Sequence, residues 1–152
     1  MRLTIAAVGR AKSGPEKALY DEYARRMLWP LTLREVEERR PLPAAETMVR
    51  EGRLLRDACP ASATLVALDR RGRTLDSAAF AKWIAGRRDT GTAELAFLIG
   101  GADGHTEALL ADCALALSFG PMTFPHLLAR VMLAEQLYRA QQILAGHPYH
   151  RA

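Results

Sequence analysis

The sequence predicts an α/β fold, a mostly parallel sheet with helices on both faces. Three observations carry this. Five short apolar runs alternate with segments whose apolar residues recur at helical spacing. Glycine, proline or polar residues punctuate the joins. The 152 residues, 49% hydrophobic and 25% charged, have the length and balance of one ordinary soluble domain.

Leu3 to Val8 (LTIAAV) is an apolar run closed by Gly9 and reads as a buried strand. Pro15 stands where a helix would start, and Ala18, Leu19, Ala24, Met27 and Leu28 recur at helical spacing up to Trp29-Pro30. Leu31, Leu33 and Val36 give a second, half-exposed strand. Pro41 and Pro43 then break the chain before a helix from about Ala44 to Asp57. Ala63 to Leu68 (ATLVAL) is the third strand, ending in a polar loop, Asp69-Arg70-Arg71-Gly72-Arg73. Leu75, Phe80, Trp83 and Ile84 mark a helix that stops near Arg88, and Glu94 to Ile99 (ELAFLI) is the fourth strand. A short helix from about Thr106 to Asp112 precedes the fifth, Ala114 to Phe119. The final helix runs from about Pro125 to Leu144, with Gly146 and Pro148 as its stop. No repeat, low-complexity tract or linker divides the chain, so residues 1–152 read as a single domain.

Composition narrows the function classes. No apolar run is long enough to cross a bilayer. The N-terminus enters a strand directly, without the pattern of a secretory signal, so a cytoplasmic protein is expected. Cys59 and Cys113 lie far apart and read as small core residues. His105, His126, His147 and His150 lack metal-ligand spacing, and no metal is expected. A net charge of +4 favours an anionic partner. Its clusters, Arg39-Arg40, Arg70-Arg71-x-Arg73 and Arg87-Arg88, adjoin turns or helix ends where they either reach phosphates or simply solvate the surface.

Ligands of open parallel sheets bind at the carboxyl ends of the strands. Three loops qualify: Leu68 to Arg73, Gly100 to Gly104, and Phe119 to Phe124. Gly100-Gly101-Ala102-Asp103-Gly104 sets three glycines in five residues after a buried strand. Such a backbone turns sharply and lets a ligand approach closely, although a plain tight turn has the same composition. The loop lacks the lysine and hydroxyl of a P-loop and the spacing of a dinucleotide fingerprint. Phe119-Gly120-Pro121-Met122-Thr123-Phe124 is unusually apolar. It suits either a loop wrapping a flat aromatic group such as adenine or one buried beneath the final helix.

Four segments, LIGGADG at 98–104, ALSFGPMTFPH at 116–126, RVMLAEQLYR at 130–139 and HPYH at 147–150, together resemble the ribosomal RNA large subunit methyltransferase H family. These are SPOUT-class enzymes that methylate N3 of a pseudouridine in 23S rRNA. The resemblance covers the whole chain and is most specific in its C-terminal third. It implies a C-terminal trefoil knot and a homodimer whose pocket lies near the subunit interface. It also implies S-adenosyl-L-methionine as cofactor, held by Leu68, Gly100, Phe119, Gly120, Pro121, Met122, Thr123 and Phe124. Large-subunit rRNA in the ribosome is the implied partner, with no membrane and no metal.

For the reaction, the imide N3–H of the base must lose its proton or have its developing charge offset. The candidates are Tyr149 and His150 for contact with the base, and Arg130 or Arg151 for offsetting charge. Glu135 is either a member of the site or a surface ion-pair partner of Arg139 one turn on. His126 reads as a first-turn helix residue. Rival readings are a SPOUT enzyme with another target atom, a non-catalytic ribosome-associated RNA-binding factor, and a phosphate-dependent nucleotide-binding protein.

Overall fold

The structure, a computed structural model, describes residues 1–151. Its elements are β1 (Arg2–Val8), α1 (Pro15–Arg26), β2 (Leu31–Val36), α2 (Ala44–Asp57), β3 (Thr64–Thr74), α3 (Ser77–Asp89), β4 (Glu94–Ile99), α4 (Glu107–Asp112), β5 (Leu115–Ser118) and α5 (His126–Leu144). The strands form one five-stranded sheet in the order β2-β1-β4-β3-β5. Every pairing is parallel.

Strand periodicity sorts the apolar runs onto two faces. Leu3, Ile5 and Ala7 of β1, Val66 of β3 and Leu95, Phe97 and Ile99 of β4 pack with Tyr20, Phe80, Ile84, Leu133 and Leu137 from α1, α3 and α5. Their alternate neighbours, Ala6, Leu65, Ala96 and Leu98, pack with Leu55 and Cys59 on α2 and beyond its end, and with Leu109 of α4. Both faces are covered, which is why these strands read as continuous apolar runs. A polar residue completes the junction of α1 and α5: the Gln141 side-chain carbonyl accepts from the backbone N–H groups of Leu28 (2.9 Å) and Trp29 (3.0 Å).

One element corrects the sequence reading. The polar stretch Asp69 to Arg73 is not a free loop, because β3 continues to Thr74. It pairs with β5 twice, first through Val66–Leu68 and again through Arg73 and Thr74, with a register shift between. Gly72 permits this, since a Cβ there would run into the backbone carbonyl of Ala116. Backbone pairing carries the strand while its arginines stay in solvent, so apolar periodicity gives no sign of it.

No helix among the described residues is long and apolar enough to cross a membrane. None of their His, Cys, Asp and Glu side chains cluster in a way that could hold a metal. Both cysteines are free and donate weakly to helical carbonyls, Cys59 to Leu55 and Cys113 to Leu109.

Candidate active site

Because β4, β3 and β5 are parallel neighbours, their carboxyl ends open on one edge of the sheet. The loops that follow β4 and β5 and the Leu68–Arg71 stretch of β3 converge there around a cleft of about 870 Å³. Leu68, Gly100, Phe119, Gly120, Met122, Thr123 and Phe124 all border it. Pro121 alone among the expected cofactor contacts does not, and lies exposed.

Hydrogen bonds fix each wall. The Ser118 hydroxyl donates to the Arg70 carbonyl (3.1 Å) and accepts from the Gly120 N–H (3.0 Å), tying the apolar loop to β3. Gly120 has φ +108, a conformation that disfavours a side chain. Arg71 donates to Asp69 (2.9 Å), Glu107 (2.8 Å) and the His105 carbonyl (3.1 Å), fastening β3 to the start of α4. The hydrogen bond from Arg71 holds the Asp69 carboxyl below its ordinary pKa. Arg70, at the cleft, and Arg73 form no ion pair among the described residues.

The glycine loop is packed as well as turned. A Cβ on Gly100 would lie 3.1 Å from the His105 imidazole and 3.3 Å from the Gly104 carbonyl carbon. His105 is 2% exposed, and its Nε2 lies 3.2 Å from the Leu98 carbonyl. Burial pushes its pKa down, so the ring is neutral and Nε2–H is the donor.

Met48 of α2 and His105 border the cleft and escaped the sequence reading, as did Glu51 of α2, which packs against Gly101 without bordering the cleft itself. One signal was there. Glu51 falls beside Gly52 and one turn before Leu55, putting a carboxylate on the buried stripe of α2.

The expected catalytic residues lie elsewhere. His126 opens α5 after Pro125, as a first-turn residue, and borders the cleft with Ala129. Glu135 comes nine residues later, roughly 13 Å along the helix. There it pairs with Arg139 (2.7 Å) and accepts from the Tyr149 hydroxyl (3.2 Å). Tyr149 meets the Tyr138 ring edge-on at 4.9 Å, under the Arg139 guanidinium. Burial, with the Glu135 charge, pushes the Tyr149 phenol up to about 12. At neutral pH it is a hydrogen-bond donor. Next to it, His150 Nδ1 is shielded from solvent without a partner. The fold thus brings Glu135 and the tail together, on the side of a second cleft of about 600 Å³ between α1, α3 and α5 that Phe119 and Gly120 also border.

Arg130 requires a correction. It is 2% exposed, pairs with Glu35 (2.6 Å) and donates to the carbonyls of Gly9 (2.8 Å) and Val8 (3.3 Å). Its two terminal nitrogens join α5 to β1 and β2, while its buried Nε has no partner among the described residues. Arg130→Ala should therefore destabilise the fold by roughly 3 kcal/mol in urea unfolding, the cost of stranding a largely buried partner. A loss under 0.5 kcal/mol, on the surface-pair scale, would contradict this role.

The family described as predicted SPOUT methyltransferase matches residues 1–150. The large subunit rRNA methyltransferase H of Rhodospirillum centenum is 57% identical, over the whole of both chains. That of Paramagnetospirillum magneticum is 54% identical over 99% of each. Among solved structures, a Legionella pneumophila putative methyltransferase with bound S-adenosylmethionine is 12% identical at a TM-score of 0.46, over 93% of this chain and 66% of that one. A SpoU methyltransferase of Streptomyces viridochromogenes is 14% identical at a TM-score of 0.48, over 95% and 58%.

Proposed function

The chain belongs to the SPOUT methyltransferase family, and from that premise we propose that it methylates N3 of a pseudouridine in 23S rRNA with S-adenosylmethionine. The substrate is the assembled ribosome in the cytoplasm. The observation that carries this reading is the convergence of the loops after β4 and β5 with the Leu68–Arg71 stretch of β3 on one cleft, bordered by seven of the eight expected cofactor contacts. Full-length relatives named for large-subunit rRNA methylation support the choice of target.

The cleft suits the cofactor on its own terms. Phe119 and Phe124 offer apolar walls to a flat base, and the loop backbone offers hydrogen bonds to its edge. The glycine loop allows close approach, since Gly100 already packs its open side against His105. The cofactor supplies a sulfonium methyl that is already electrophilic. The protein's task is to align the base, exclude water and manage the N3 proton.

For that proton the tail carries the proposal. Tyr149, protonated and donating to Glu135, holds the tail in place for contact with the base, and His150 takes the proton. Arg70, at the cleft, and the exposed Arg73 farther along β3 meet phosphates. Since Glu135 and the tail stand away from the cleft of their own chain, a homodimer sets the tail of one subunit beside the cleft of the other. The second, largely apolar cleft against α1 and α5 supports that contact. The trefoil knot is proposed as well. The double pairing of β3 with β5 supports it, together with the Ser118 hydrogen bond to the Arg70 carbonyl, since both hold the 69–74 stretch against the end of β5.

Calorimetric titration of the purified protein with S-adenosylmethionine tests the foundation. Saturable binding is expected. Its absence would leave an RNA-binding factor that keeps the fold without the chemistry.

A further inference from the structure

Glu51 is held in an unfavourable position that nothing among the described residues explains. It is 8% exposed, its Oε1 is shielded from solvent, and it has no hydrogen-bond or ion-pair partner among the described residues. A buried carboxylate without donors is costly to keep. Burial raises its pKa, and the nearby Asp103 and Glu38 charges push the same way.

Its surroundings indicate what is missing. Met48, one turn earlier on α2, borders the cleft, as does Gly101. A Cβ on Gly101 would lie 2.7 Å from Glu51 Oε2 and 2.8 Å from Oε1. The glycine therefore makes room for a carboxylate packed directly against the loop that borders the cleft, the loop expected to lie against the cofactor.

We infer that Glu51 binds the ribose of the cofactor, its two carboxylate oxygens accepting the 2′ and 3′ hydroxyls. Two adjacent acceptors match a cis-diol, and neutral hydroxyls enter an enclosed site without shedding a charge of their own. An ammonium would have to give up its hydration to reach an edge this buried. The ribose is also the part of the cofactor joined directly to the base, for which the Phe119 to Phe124 loop is the expected seat. This assignment rests on the cofactor reading above.

The test is Glu51→Gln, which keeps the shape and removes the charged acceptor. Binding of S-adenosylhomocysteine and of 5′-methylthioadenosine, which has the ribose but no amino acid, is measured by calorimetry for both proteins. Affinity for both ligands should fall roughly 10- to 100-fold, the range for hydrogen bonds to a charged group. The free variant should melt at or above the wild-type temperature, since a buried unpaired charge is gone. Unchanged affinity, or a lower melting temperature with proportionate loss of binding, overturns the assignment and makes Glu51 a support of the fold. A loss confined to S-adenosylhomocysteine overturns it in favour of the ammonium. Failure of the wild-type protein to bind either ligand overturns the cofactor reading itself, and this assignment with it.

Discussion

Gly100→Val is expected to abolish S-adenosylmethionine binding in a protein that still folds. The position is constrained from two sides. Toward the protein, the Cβ would press on His105 at 3.1 Å and on Gly104 at 3.3 Å, and His105 cannot yield easily because it is buried and bonded to the Leu98 carbonyl. Overpacking of this kind costs roughly 1–3 kcal/mol and is relieved by lifting the loop. Lifting moves the loop into the cleft, where the cofactor must approach the backbone. The two effects together should weaken affinity by at least about 100-fold, below detection by calorimetry. Circular dichroism would show the sheet and helices retained. Unchanged affinity would reduce the glycine loop to a turn with no part in the ligand site.

The second large effect is expected from the tail. His150→Ala, or truncation after Gly146, should abolish methylation while cofactor affinity stays within about threefold of wild type. No residue of 147–151 borders the cleft of its own chain, and the tail proposed to reach it from a partner subunit meets the base and not the cofactor, so cofactor binding should hold. Loss of a proton acceptor removes on the order of 10²- to 10⁴-fold in rate. Tyr149 contributes differently. With its phenol pushed up to about 12, it donates to Glu135 and does not accept a proton at neutral pH, which leaves His150 the better acceptor. Full activity in the truncated protein would remove the tail from the mechanism.

The contrast between these two sites reflects what a sequence exposes. The bounds of α2 and β4 are those the sequence predicts, because proline and polar residues flank strong apolar patterns. The cleft was legible for a general reason: parallel strands must all end on one side, so the segments after the third, fourth and fifth apolar runs had to meet. The missed extension of β3 has a physical cause. Asp69 to Arg73 has no apolar period, and only pairing with β5 and the small size of Gly72 make it a strand. Arg130 was misjudged because its partner, Glu35, lies 95 residues away, and nothing local to α5 distinguishes a structural arginine from a substrate-facing one. The tail depends on tertiary packing too, resting on Tyr138 and Arg139 of α5, with Arg26 of α1 stacked over the same tyrosines. Motif resemblance indicated that these residues matter, but it could not indicate where they stand.

The central claim, methyl transfer to N3 of a pseudouridine on the ribosome, is tested most directly on large-subunit particles lacking the modification. The purified protein is incubated with S-adenosylmethionine and either assembled ribosomes or free rRNA, and the product nucleoside is identified by mass spectrometry. The expected result is 3-methylpseudouridine formed on assembled ribosomes and little on free rRNA. A methyl group on another atom or base, or none on either substrate while the cofactor binds, would contradict it.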